Sequence, residues 1–186
     1  KQDYIKSLQT WEKLENIIGQ NEIVDGEKNK IYERICTSMK KESDLEQLVA
    51  DYPNNAYFIL ALTNSYMNNN EYKKAEQDFN NALLHDPDNK TYILLRADAK
   101  ANQQLYTEAL KDIDYLLKRE PKDPTLLFEK GVISLNNSDT TTAIQCIQQS
   151  ATYDSQNPAN WSALGVIYLQ MGQEIDAMNY LTQYIN

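Results

Sequence analysis

Glycine, proline, cysteine and histidine are all scarce in this chain of 186 residues, which holds five, five, two and one of them. Five scattered glycines provide no phosphate-cradling loop, and none of the glycine-rich nucleotide motifs is present. One histidine, His85, leaves no HExxH and no Ser/His/Asp grouping, so no metal, cofactor or catalytic triad is expected. His85 precedes Asp86-Pro87 and is expected to cap carbonyls at a helix end. Cys36 and Cys146 lie far apart without CxxC spacing, and Cys146 is expected as an inert thiol on a packed helix face. No apolar run approaches the ~18–20 residues of a membrane span. Positive charge is also short: 18 Lys and Arg stand against 27 Asp and Glu, a net charge of −9. A phosphate backbone would be repelled, so nucleic acid is not an expected partner. The chain begins at Lys1 without a methionine. Cytoplasm, periplasm and exterior, the last two after removal of an N-terminal signal, all stay open.

A fixed period is what the chain does have. Ala75, Ala109, Ala143 and Ala177 recur every 34 residues. At the same spacing stand Asn55, Asn89, Asp123 and Asn157, all residue types that cap helix N-termini through a side-chain oxygen. Pro124 and Pro158 follow two of them, where a proline suits the first helical turn. Pro53, Pro87 and Pro121 form another row, continued by Ser155. Thr63, Ala97, Gly131 and Gly165 form a row of small residues that lets two helix backbones approach, and Tyr66 and Tyr168 share one further site. Such a period is the mark of a solenoid whose units bury apolar faces only against their neighbours.

The pattern resembles the tetratricopeptide repeat family. The best unit reads Trp161, Leu164-Gly165, Tyr168 and Ala177, and Ala75, Phe79, Ala82 and Pro87 stand in the family's matching places. The resemblance covers about residues 56–186 and implies an all-α, right-handed α-solenoid of antiparallel helix pairs. The predicted repeats are 56–89, 90–123, 124–157 and 158–186. Their helices are predicted at 56–69 with 71–85, 90–103 with 106–119, 124–137 with 139–153, and 158–171 with 174–186. Residues 1–55 read as N-terminal helices that include a decayed repeat. The first helix is predicted over 2–18, with Tyr4, Leu8, Trp11 and Ile18 on one stripe beside Ile5, Leu14 and Ile17. Gly19 and Asn21 end it, and Asp25-Gly26 marks a turn. A second helix is predicted over 28–41, and Ser43 with Glu46 makes a capping box for a short third.

Two cations fall where the family places apolar residues, Arg96 and Lys130. A charge on a packed stripe needs a partner. The acids one repeat upstream suggest the bridges Asp78–Arg96 and Asp112–Lys130, fixing how repeats dock; snorkelling of both cations to solvent is the alternative.

The first helices of such a solenoid line its concave side. Their inward stripe carries Tyr57, Leu60, Asn64 and Met67, then Thr91, Leu94, Asp98 and Asn102, then Thr125, Phe128, Val132 and Asn136, with Ser162, Val166 and Leu169 in the last repeat. Apolar groups alternating with amides suit a peptide or helix of another protein, although the same side chains also serve to pack against the next first helix. Family members that clamp a C-terminal carboxylate do so with Lys and Arg. The matching places here hold Leu60, Leu95, Thr125 and Glu129, with only Asn64 agreeing, so an acidic C-terminal peptide is a poor ligand. Asp98 and Glu129 are the acids an acid–base enzyme would use, and a solvated acidic face is the simpler reading. The expected function is a non-catalytic protein-interaction module. The alternative is an assembly subunit that joins other chains, or copies of itself, through its ends or convex face.

Overall fold

The computed structural model describes residues 2–19, 22–39 and 41–185, without the side chains of 2–5, 8, 18, 184 and 185. Tyr4, Ile5, Leu8, Ile18 and Asn21 therefore lie outside the described side chains. The described residues form helices and turns, with no strand. In order the helices are α1 (Gln2–Ile18), α2 (Glu22–Ser38), α3 (Glu42–Asp51), α4 (Ala56–Asn68), α5 (Tyr72–His85), α6 (Lys90–Asn102), α7 (Tyr106–Arg119), α8 (Pro124–Asn136), α9 (Thr140–Tyr153), α10 (Pro158–Gln170) and α11 (Glu174–Ile185). The chain is an all-α solenoid made of two compact units, Lys1–Pro87 and Asp88–Asn186.

The capping row works as expected. Asn55, Asn89, Asp123 and Asn157 accept from the backbone N–H groups of Phe58, Tyr92, Leu126 and Ala159, which satisfies donors that the first turn leaves unpaired. Each first helix therefore starts one residue past its cap and runs thirteen residues. The turn to the second helix holds a further row. Asn70, Gln104, Ser138 and Gly172 all have positive φ, between 61° and 74°, and only the last is the residue type that adopts it freely. Replacing Ser138 by glycine is expected to stabilise the protein by about 0.5–1 kcal/mol, the relief of strain outweighing glycine's entropy. Urea unfolding would check this.

In the second unit α7 pairs with α6 and packs on α8, and α9 pairs with α8 and packs on α10, which pairs with α11. Ala97, Ala109, Ile113 and Ile133 form one buried cluster, and Ala143, Ile147, Leu164 and Ile167 the next. Each cluster thus spans two repeats, the way a solenoid shares its core. Trp161 and Tyr168 stack beside Tyr180 at 6.4 and 5.2 Å.

The first unit departs from the expected boundaries. Asp25-Gly26 is no turn: α2 runs through it, because Val24, Ile31 and Ile35 keep one buried stripe across the glycine. Ser43 is not the cap of α3 either; the helix begins at Glu42, with Lys41 as a cap that makes no side-chain bond. Helix α3 packs on α4, as α7 does on α8, but the main neighbours of α2 are α1 and α4. Both cysteines are free thiols. Cys146 is buried, and burial pushes its thiol up toward the protonated, unreactive form. Among the described residues no helix is long and apolar enough to cross a membrane, and no cluster of metal-ligating side chains forms.

Candidate functional site

The first helices carry the candidate surface, and each unit holds its own part. In the second unit the α6, α8 and α10 faces present Thr91, Asp98, Asn102, Thr125 and Asn136 as exposed side chains. Leu94, Phe128 and Val132 are half-buried, and Val166 and Leu169 are 45% and 50% exposed. No expected stripe residue is fully buried. Leu94 and Phe128 divide their surface: Leu94 packs on the Ala97–Ile113 cluster and Phe128 on the Ala143–Ile147 cluster. In the first unit Asn64 is exposed, while Tyr57, Leu60 and Met67 are half-buried. The Tyr57 ring lies 5.5 Å from that of Tyr32, so α2 covers part of it.

Two carboxylates stand out on the second unit's face. Asp98 is exposed at its edge, but the protein packed around its carboxyl strips away enough water to push it above the usual range, although Asn102 Nδ2 donates to it at 2.9 Å. Burial also pushes up Glu129, and the charge of Asp98 adds to it. Among the described residues no lysine or arginine pairs with either acid. A carboxyl whose pKa is raised by folding destabilises the fold increasingly as pH rises through its ordinary, unfolded value, and fully above its folded value. Glu129→Gln is therefore expected to raise the unfolding midpoint at neutral pH. It should change little near pH ~4, where an ordinary carboxyl already begins to protonate. Thermal melts at the two pH values would check it.

The ion pairs correct the expected bridges. Arg96 pairs with Asp112 in its own repeat, Nε at 2.9 Å and Nη2 at 2.7 Å, whereas the expected Asp78–Arg96 bridge falls between the two units. Lys100, one turn further along α6, adds its Nζ to the same carboxylate at 2.7 Å. Lys130 pairs not with Asp112 but with Asp114, at 2.7 Å. One relation explains both. A residue on a first helix faces the residue sixteen positions later on its second helix, as Arg96 faces Asp112. For Lys130 that place is Cys146, which offers no anion, so the lysine turns to the preceding helix. For Asp78 the facing residue is the buried Leu62, and burial pushes its carboxyl up. Lys100 and Asp114 went unrecognised in the sequence, although Lys100 stands in the Tyr66 and Tyr168 row and a cation there was itself a signal.

Stacked helix pairs with a shared core and an accessible inner face define a helical-repeat interaction module. The tetratricopeptide repeat profile matches residues 60–112 and 94–158, over half of the sequence, and the chain belongs to the tetratricopeptide repeat family. Solved structures agree in fold. A MamA segment from Desulfovibrio magneticus RS-1, at 16% identity, superposes with a TM-score of 0.71 over 84% of this chain and 90% of its own. A tetratricopeptide repeat protein from Parabacteroides merdae, at 14% identity, does so with 0.72 over 98% of this chain and 73% of its own. No curated protein matches the sequence.

Proposed function

We propose that this protein is a non-catalytic interaction module that holds a peptide or helix of another protein on the inner face of its first helices. The carrying observation is that Val166 and Leu169 stay about half exposed on α10, in line with the half-buried Phe128 and Val132 of α8. Large apolar side chains held open to water on a rigid face mark a binding surface.

Leu94 and Phe128 are poor test positions because both also serve the core. Val132 and Val166 are better. A photo-crosslinking residue at Val132 or Val166 is expected to trap a partner in the native cell, whereas one at the exposed second-helix positions Lys111 or Thr152 is not. Crosslinks only from the second helices would overturn this reading.

Assembly through α11 is a second reading, favoured by Ile175 and Met178, which are 75% and 67% exposed. Met178 occupies the row of Leu110 and Ile144, which pack against buried clusters in their own repeats. Light scattering that shows larger species, reduced to monomer by Met178→Lys, would favour it.

A further inference from the structure

Positive charge is scarce in this chain, and three lysines of the second unit gather at one place. Lys111, Asp114, Tyr115 and Lys118 share one face of α7, with the two lysines about 10 Å apart along the helix axis. Together with Leu117, and with Lys130 of α8, they line a pocket of about 500 Å³. None of these residues belongs to the inward stripe of the first helices. Lys130 Nζ holds the Asp114 carboxylate at 2.7 Å. Lys111 and Lys118 are exposed, and among the described residues no carboxylate pairs with either. Three ammonium groups thus stand around one carboxylate, a surplus of two positive charges on a chain whose net charge is −9.

The unit's other cations are engaged. Arg96 and Lys100 hold Asp112, Lys90 holds Glu120 and Asp123, Arg119 holds Asp88, and Lys122 lies over the Tyr153 ring. The repeat itself does not demand the two free lysines. One repeat earlier Gln77 and Leu84 stand in their places, and one repeat later Gln145 and Thr152 do. The tyrosine wall of the pocket is held in position from outside it. The Tyr115 hydroxyl donates to Asp88 and accepts from Arg119 Nη1 at 3.1 Å, while the guanidinium lies 5.8 Å from the ring centre.

We propose that this pocket binds a small phosphate monoester, its phosphoryl oxygens held by Lys111 and Lys118 and its organic part against Tyr115 and Leu117. A monocarboxylate brings one charge and two oxygens, and Asp114 already fills that place on Lys130. A phosphate monoester carries a charge of about −1.5 to −2 and three acceptor oxygens, which suffices for both remaining lysines. A neutral or cationic ligand would leave the gathered like charges unrelieved. The volume falls within the roughly 300–1,000 Å³ of small-molecule sites. The lining spans only two turns of α7 and one residue of α8, far less than the ~20–30 residues that each side of a protein interface contributes.

The site is separate from the inner face, so its failure leaves the reading above untouched. The probes are phenyl phosphate, benzoate and a phosphotyrosine peptide, titrated into the full chain at about physiological salt and followed by amide NMR. Phenyl phosphate is expected to shift the resonances of residues 111–118 and Lys130 saturably, and benzoate to bind at least about tenfold more weakly. Lys111→Gln with Lys118→Gln should weaken phenyl phosphate about tenfold or more. Lys73→Gln with Lys122→Gln, the same loss of charge at exposed positions elsewhere, should weaken it by less than about twofold. Equal weakening by both variants, or shifts that never saturate, would overturn the proposal as general attraction of anions to surface lysines. Benzoate binding as tightly as phenyl phosphate would overturn the choice of a doubly charged ligand. A phosphotyrosine peptide that binds about tenfold tighter than phenyl phosphate would overturn the small ligand in favour of a modified protein. All four substituted lysines are exposed, and circular dichroism on each variant secures the comparison.

Discussion

Asp112→Ala is expected to lower stability by about 3–5 kcal/mol, the cost of removing one member of a buried ion pair. Asp112 is only 7% exposed and accepts from both Arg96 and Lys100. Its removal leaves two cations, with side chains 21% and 13% exposed, without the carboxylate they share. Lengthening toward water lets them recover part of the loss, which favours the lower end of the range. For a chain of this size the midpoint should fall by roughly 10 °C. The cause is charge left alone, not packing lost, and a second variant separates the two. Replacing the whole set, with Arg96→Met, Lys100→Met and Asp112→Leu together, is expected to restore most of the stability, since apolar groups of similar volume replace buried ion pairs at little cost. Chemical denaturation of the two variants checks this. A triple variant as unstable as Asp112→Ala would show that the ion pairs themselves hold α6 on α7.

The small-residue row and the cap row were legible in the sequence because each is fixed by local geometry. A helix start needs an oxygen, and a close crossing needs a residue without bulk. The helices from α4 to α11 accordingly begin and end within one or two residues of their predicted limits. The second helix was misplaced because propensity was weighed without burial. Gly26 reads as a turn, but Val24, Ile31 and Ile35 on one side of α2 bury together and carry the helix through it. The ion pairs were harder. Their existence followed from cations on a packed stripe, but partner choice depends on which helix a long side chain leans toward, and Arg96 and Lys130 lean opposite ways. On the inner face the sequence placed the residues but not their duties. Only packing shows that Leu94 and Phe128 serve two masters, and that among the described residues no cation pairs with Asp98 or Glu129.

Gly131→Val is expected to cost about 3 kcal/mol, and its neighbour in the same row is expected to behave differently. A Cβ on Gly131 would stand 2.5 Å from Ile147 Cγ1 and 3.1 Å from the carbonyl oxygen of Ala143. Ile147 is fully buried and the carbonyl belongs to the helix itself, so α8 must move off α9 to admit even a methyl group. Against this stands the 0.5–1 kcal/mol that alanine usually gains over glycine inside a helix. For Gly131→Ala the clash outweighs that gain, leaving a net loss of about 1–2 kcal/mol, and valine's two γ-methyl groups deepen it. At Gly165 the same Cβ meets Leu181 Cδ2 and Cγ at 2.6 Å, while the Ala177 carbonyl is 3.5 Å away, an ordinary contact. Leu181 is only half-buried, so the whole side chain has open space to shift into where the fully buried Ile147 has none. Gly165→Ala should therefore be close to neutral, the helix gain cancelling a small rearrangement. Urea midpoints for the two alanine variants decide the matter. If both fall equally, close helix approach is demanded throughout the row; if only Gly131→Ala falls, what matters is whether the facing side chain has somewhere to go.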